Sequence, residues 1–158
     1  MQRLRELVSL TRDILHSEEF RRMKSYRHHI KGTLYEHSVK VAYLCYLHHR
    51  RFSLKTDLRE LVRGAMLHDY YLYDLHGDGR EHRLHWLRHP KTALENARRH
   101  YPTLTRSQID MIERHMFPLT LRPPRTVGGW LVCLYDKLAA ISDRFGRCRL
   151  GFENSRRR

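Results

Sequence analysis

The chain has 158 residues, with 31 Lys and Arg against 17 Asp and Glu for a formal net charge of +14, and it carries 13 histidines. That length suits one domain able to bury roughly 70 % of its unfolded surface, and 41 % apolar with 30 % charged residues excludes disordered and collagen-like chains. The longest apolar runs, Val41–Leu47 and Trp130–Tyr135, fall far short of the ~18 residues of a membrane span, so no membrane partner is expected.

In chain order the periodicity is helical nearly throughout. Leu4, Leu7, Val8, Thr11, Ile14 and Leu15 recur at helical spacing and predict one amphipathic helix over about 2–16. Its charges at Arg3, Arg5, Glu6, Arg12 and Asp13 leave no signal-peptide core, and the expected location is cytoplasmic. Ser17 with Glu18 and Glu19 predicts a short second helix. Thr33 and Glu36 form a capping box that opens a long helix to about Phe52. Thr56 or Asp57 caps the next, which runs to His68. The glycines Gly77 and Gly79 and the loss of periodicity predict a loop over 70–83. Pro90 suits the first position of a helix that ends near Tyr101. Thr105 and Gln108 form a second capping box, for a helix that stops near Pro118, and an apolar helix follows over 126–145 with Gly128 and Gly129 weakening its start.

No useful strand alternation appears, so the expected fold is an all-α, single-domain bundle of six or seven helices. The expected organisation is N-terminal helices over 1–30 packing on the core, a functional domain over 31–145, and a basic C-terminal tail over 146–158. Three cysteines, Cys45, Cys133 and Cys148, form no C-x-x-C pair and read as reduced thiols.

Several polar residues fall on apolar helix faces. His37 shares its face with Leu34, Val41 and Leu44, and His68 follows Leu61 and Ala65 on a buried stripe, with Asp69 the next residue. His115 sits over Met111 and Ile112, and Asp136 lies between Val132 or Cys133 and Ala139 or Ala140. A buried, unpaired carboxylate is strongly disfavoured and needs a cation or several donors nearby. Imidazoles and carboxylates aimed into one bundle make a site suited to manganese, iron, cobalt, nickel or zinc, and less to magnesium or calcium, which prefer all-oxygen shells.

The three blocks Leu34–Ala42 around His37, Gly64–Asp69 ending in the His68–Asp69 doublet, and Leu134–Leu138 around Asp136 resemble the motif of the HD-domain metal-dependent phosphohydrolases. The resemblance covers about residues 30–145. It implies that His37, His68, Asp69 and Asp136 hold one metal ion. His89, before Pro90, and His115, in the segment His115–Thr120, match two further histidines of members with two ions. The chain is most similar to small stand-alone bacterial HD proteins. The resemblance then implies two divalent ions with Asp69 as the bridge, the His68–Asp69 doublet as the catalytic core, and a metal-activated water that attacks a phosphate ester or anhydride, the substrate being a phosphorylated small molecule such as a nucleotide.

Many relatives follow the doublet with Ile-Gly-Lys, where this chain has Tyr70-Tyr71-Leu72, so a lysine at that place contributes nothing here. Lys40, Arg88, Lys91 and Lys137 are the candidate phosphate contacts, and His76, His82 and His85 are candidate pocket histidines. Two other readings stand beside the hydrolase. One is a di-iron oxygenase with the same metal shell. The other is a basic nucleic-acid-binding module with a structural or vestigial metal site, whose salt-sensitive binding would survive His68→Ala and Asp69→Ala.

Overall fold

The first amphipathic stretch forms two helices rather than one in the computed structural model of the chain, which describes residues 2–27, 32–73 and 85–145. Helix α1 is Gln2–Leu10 and α2 is Arg12–His16. The Thr11 hydroxyl donates to the Leu7 carbonyl at 2.8 Å, the same oxygen that its own N–H approaches at 3.2 Å. Such back-bonding competes with the helical ladder and bends it, and with this break there are eight α-helices among the described residues against the expected six or seven.

Ser17 caps α3 (Glu18–Arg22) by accepting from the Phe20 N–H, and its hydroxyl also lies 2.8 Å from the Tyr101 hydroxyl. A single 3-10 turn follows at Met23–Ser25. Gly32, at φ 102°, sits in the left-handed region that favours glycine and leads the chain into the Thr33 capping box. That box opens α4 (Leu34–Phe52), with Glu36 accepting from the Thr33 N–H at 2.8 Å. Asp57, not Thr56, caps α5 (Leu58–Leu67).

Helix α6 spans His85–His100 and so begins five residues before Pro90. Proline at that point forgoes one hydrogen bond, to the carbonyl four residues back, but both His89 and Pro90 are buried, and their packing holds the extra turn in place. His89 therefore projects from inside a helix and not from its cap. Helix α7 (Arg106–Arg114) has the expected Thr105–Gln108 capping box but ends four residues before Pro118, with His115 as its C-cap. Helix α8 is Val127–Phe145. Of the expected 70–83 loop, residues 70–73 are non-helical. The rest of that loop, with His76 and His82, and the expected basic tail over 146–158 lie outside the described residues.

Helices α4, α5, α7 and α8 pack as a ring, each against two others, and α6 lies on α7. Their shared core includes Leu34, Val41, Leu61, Met66, Ile112 and Val132. A smaller cluster of Leu7, Tyr46 and Val62 ties α1 to α4 and α5. The Met111 side chain fills the space left by two glycines, Gly64 on α5 and Gly128 on α8, so a residue that lowers the helix propensity of α8 also lets α7 approach it. Asp110 on α7 receives the N–H groups of Arg125 and Thr126 and the Thr126 hydroxyl, which pins the start of α8. No helix among the described residues is long and apolar enough to cross a membrane.

Candidate metal centre

Five elements each deliver polar side chains to one buried point. His37 comes from the first turn of α4, His68 from the C-cap of α5 with Asp69 directly after it, His89 from α6, His115 from the C-cap of α7, and Asp136 from the middle of α8. All six are buried. The ligand atoms of His37, His68, Asp69 and Asp136 lie within 4.8 Å of one another, and so do those of Asp69, His89 and His115.

Asp69 is divided between the two groups. Its Oδ2 lies 3.5 Å from His68 Nε2 and 3.8 Å from His37 Nε2, while its Oδ1 lies 3.1 Å from His89 Nε2 and 3.3 Å from His115 Nε2. Asp136 Oδ1 closes the first group at 3.1 Å from His37 Nε2 and 3.6 Å from His68 Nε2.

The imidazoles are oriented from behind. The last carbonyls of a helix lack intrahelical partners, and both C-cap histidines use one. His68 Nδ1 lies 2.7 Å from the Ala65 carbonyl and His115 Nδ1 2.8 Å from the Ile112 carbonyl. A carbonyl only accepts, so each Nδ1 carries the proton and each Nε2 presents a lone pair inward. His37 Nδ1 faces Asp143 Oδ2 at 3.4 Å. A ring nitrogen anchored to a carbonyl or carboxylate is the outer shell that metal-binding histidines use.

The donor set fits a divalent cation. His68 Nε2 is fully buried and has no hydrogen-bond partner, an arrangement that costs ~1–3 kcal/mol unless something binds the lone pair. His89 Nε2 and His115 Nε2 sit 2.9 Å apart beside Asp69 Oδ1, so one cation could take all three as ligands in place of the proton they otherwise share. Four imidazoles with two carboxylates match manganese, iron, cobalt, nickel or zinc better than the all-oxygen shells of magnesium or calcium.

Electrostatics follow the same division. Burial alone would raise the Asp69 and Asp136 carboxyls, but the surrounding imidazoles outweigh it and hold both well below the ordinary carboxylate range. Burial would lower His37, yet Asp136, Asp143 and Asp69 together raise it to about 9. His115 is lowered, chiefly by burial.

The candidate cations do not all converge. Lys40, expected at the phosphate, is buried behind His37, where its Nζ lies 2.6 Å from Asp143 Oδ1 and also bonds Ser142. Lys137 Nζ donates to the His115 carbonyl at 2.8 Å and lies 3.9 Å from Asp136 Oδ2. Arg88 is exposed on α6 one residue before His89. Lys91 stands at the surface, 3.9 Å from Glu95. Sequence reasoning missed Asp143. Its signal was its place two helical turns after Asp136, on the same face of α8.

A family model of the HD domain matches residues 34–141. No curated protein and no solved structure matches the chain.

Proposed function

The chain belongs to the HD-domain family of metal-dependent phosphohydrolases, and from that footing we propose that it hydrolyses a phosphate ester or anhydride of a nucleotide with two divalent transition-metal ions, of iron, manganese, cobalt, nickel or zinc. The observation that carries this reading is the split of Asp69, one oxygen toward His37, His68 and Asp136 and the other toward His89 and His115. Bound there, the ions would supply Lewis-acid charge to phosphoryl oxygens and bring the pKa of a water near neutrality.

The chain's own residues have separate tasks. Asp69 and Asp136 stay ionised and retain the cations. His68 and His115, with Nδ1 tied to backbone carbonyls, hold Nε2 unprotonated and aimed. Arg88, exposed beside His89, is the first cation assigned to an anionic substrate, with Lys91 farther out on the same helix, while Lys137, bonded to the His115 and Cys133 carbonyls, would reach a substrate only by giving up one of those bonds. Lys40 acts as a positioning group through Asp143 and His37.

The test is turnover by the purified protein, loaded in turn with each of these metals, on a panel of phosphomonoesters, phosphodiesters and nucleotides. Hydrolysis should appear with at least one metal, and Asp69→Asn should remove it together with both ions. Silence across the whole panel with every metal would overturn the proposal.

A further inference from the structure

Helix α8 carries Asp136 and Asp143 on its inner side, yet every exposed side chain from Val127 to Asp143 is apolar. Val127, Trp130, Leu134, Leu138 and Ile141 remain 54, 49, 48, 46 and 54 % exposed. In a chain of net charge +14 with cations along its whole length, an outward helix face without one charge is not a solvated surface. We propose that this face is the interface of a two-fold homodimer in which α8 packs antiparallel against α8 of a second copy.

Three observations select a second copy as the occupant. The stripe is symmetric: Trp130 and Leu138 lie four residues on either side of Leu134, and Val127 and Ile141 seven. A two-fold axis through Leu134 therefore sets Leu134 against itself, Trp130 against Leu138 and Val127 against Ile141 along about 21 Å of helix, which is the self-complementarity an isologous contact needs.

The area also matches. The five side chains expose roughly 500 Å² of apolar surface. Leu119 and Leu121, two and four residues beyond the Phe117 ring that packs edge-on against Trp130, are 54 and 92 % exposed. The stripe alone reaches the roughly 300–600 Å² of a patch that is often functional, and a copy that also covered these two leucines would contribute roughly 800 Å², the share of each partner in a standard stable interface.

The charge pattern points the same way. A helix lying on a membrane surface flanks its apolar stripe with exposed Lys and Arg, whereas no flanking position of α8 from Leu131 to Asp143 is fully exposed, and the one lysine among them, Lys137, bonds the His115 and Cys133 carbonyls.

The experiment is the mass of the full chain in solution, by light scattering and sedimentation at micromolar protein. The expected result is twice the 19.2 kDa of one chain, falling to 19.2 kDa for Leu134→Glu with unchanged helical circular dichroism. A wild-type chain of monomer mass overturns the proposal, whatever other protein or lipid then binds the face, and so does a Leu134→Glu variant that stays dimeric. Cysteine cross-linking tests the orientation without adding charge. In a chain carrying Cys148→Ser, with Cys45 and Cys133 buried, Val127→Cys and Ile141→Cys proteins should cross-link with each other when mixed and not with themselves. Self-cross-linking of either would refute the antiparallel pairing.

Discussion

His37 differs from His68 and His115 in that its outer nitrogen meets a carboxylate and not a backbone carbonyl, and that carboxylate, on Asp143, is itself held by Lys40. Two consequences follow for this residue. Removing the outer carboxylate frees the ring to rotate and lowers its basicity as a ligand, a class of change that costs about 10–100-fold in metal affinity. Asp143→Ala should therefore weaken metal binding by that factor while the number of ions bound at saturation stays unchanged, as read by competitive chelator titration. The second consequence concerns protons. In the metal-free protein His37 is raised from 6.5 to about 9 by Asp136, Asp143 and Asp69 acting against burial. The charged form therefore contributes to metal-free stability fully below about 6.5, and that contribution is lost as pH rises through about 9. A metal ion needs the Nε2 lone pair and so displaces this proton. Calorimetric titrations near neutral pH, repeated in buffers of different ionisation enthalpy, should show proton release on metal binding that includes a component from His37, which fades above about 9 and is missing in His37→Ala, beside any proton lost by metal-bound water. Asp143 was within reach of the sequence, because its spacing from Asp136 is helical. What hid it was that the apolar stripe stops there: Ala139 and Ala140 precede it by one turn, but the residues three and four after it in sequence are Gly146 and Arg147.

The contact of α5 and α8 with α7 is set by what Gly64 and Gly128 lack. A methyl at Gly64 would collide with Met111 Sδ and crowd Met111 Cβ and Cγ, whereas one at Gly128 meets chiefly the terminal Met111 methyl. The terminal methyl can swing aside, but Cβ moves only with the α7 backbone. Overpacking costs ~1–3 kcal/mol, against about 1 kcal/mol that alanine contributes over glycine inside a helix. Gly64→Ala should thus lower the urea midpoint, and Gly128→Ala should leave it near the wild-type value or above. Equal effects would mean that Met111 is not the wedge. These elements also show which parts of the fold can be read locally. The Thr33–Glu36 and Thr105–Gln108 boxes lie where their spacing predicts, because a cap is satisfied by residues three apart. The break at Thr11 depends on a hydroxyl choosing the carbonyl four residues back, a local choice between two bonds, and the early start of α6 depends on burial of His89 and Pro90 by residues distant in the chain. Helical periodicity carries no record of either. The ligand set behaves differently again. His37, His68, His115 and Asp136 stood out because each interrupts an apolar stripe and Asp69 because it directly follows His68, whereas His89 came only with the family resemblance.

Across the whole molecule the centre joins α4, α5, α6, α7 and α8, and it leaves out α1, α2 and α3. The N-terminal helices are held instead by apolar contacts such as Leu7 with Tyr46 and Val62 and by Ser17 with Tyr101. Metal therefore acts as a cross-link for one part of the chain only. An ion at about 1,000 times its Kd adds ~4 kcal/mol to the folded state, which for a chain of this size moves Tm by roughly 8–16 °C. Chelation should lower Tm by that order, and re-addition of the metal should restore it. Where the loss appears discriminates between a cross-link and a general weakening. Without metal, the buried His68 Nε2 keeps no partner and His89 and His115 are joined only by a hydrogen bond, so the turns that carry His68, His89 and His115 open first. Amide hydrogen exchange after chelation should accelerate at the C-terminal ends of α5 and α7 and through the first two turns of α6, while Leu7 and its neighbours on α1 keep their protection. Uniform acceleration along the chain would show that the centre is coupled to the entire core, and unchanged exchange at α6 would place His89 outside the metal shell.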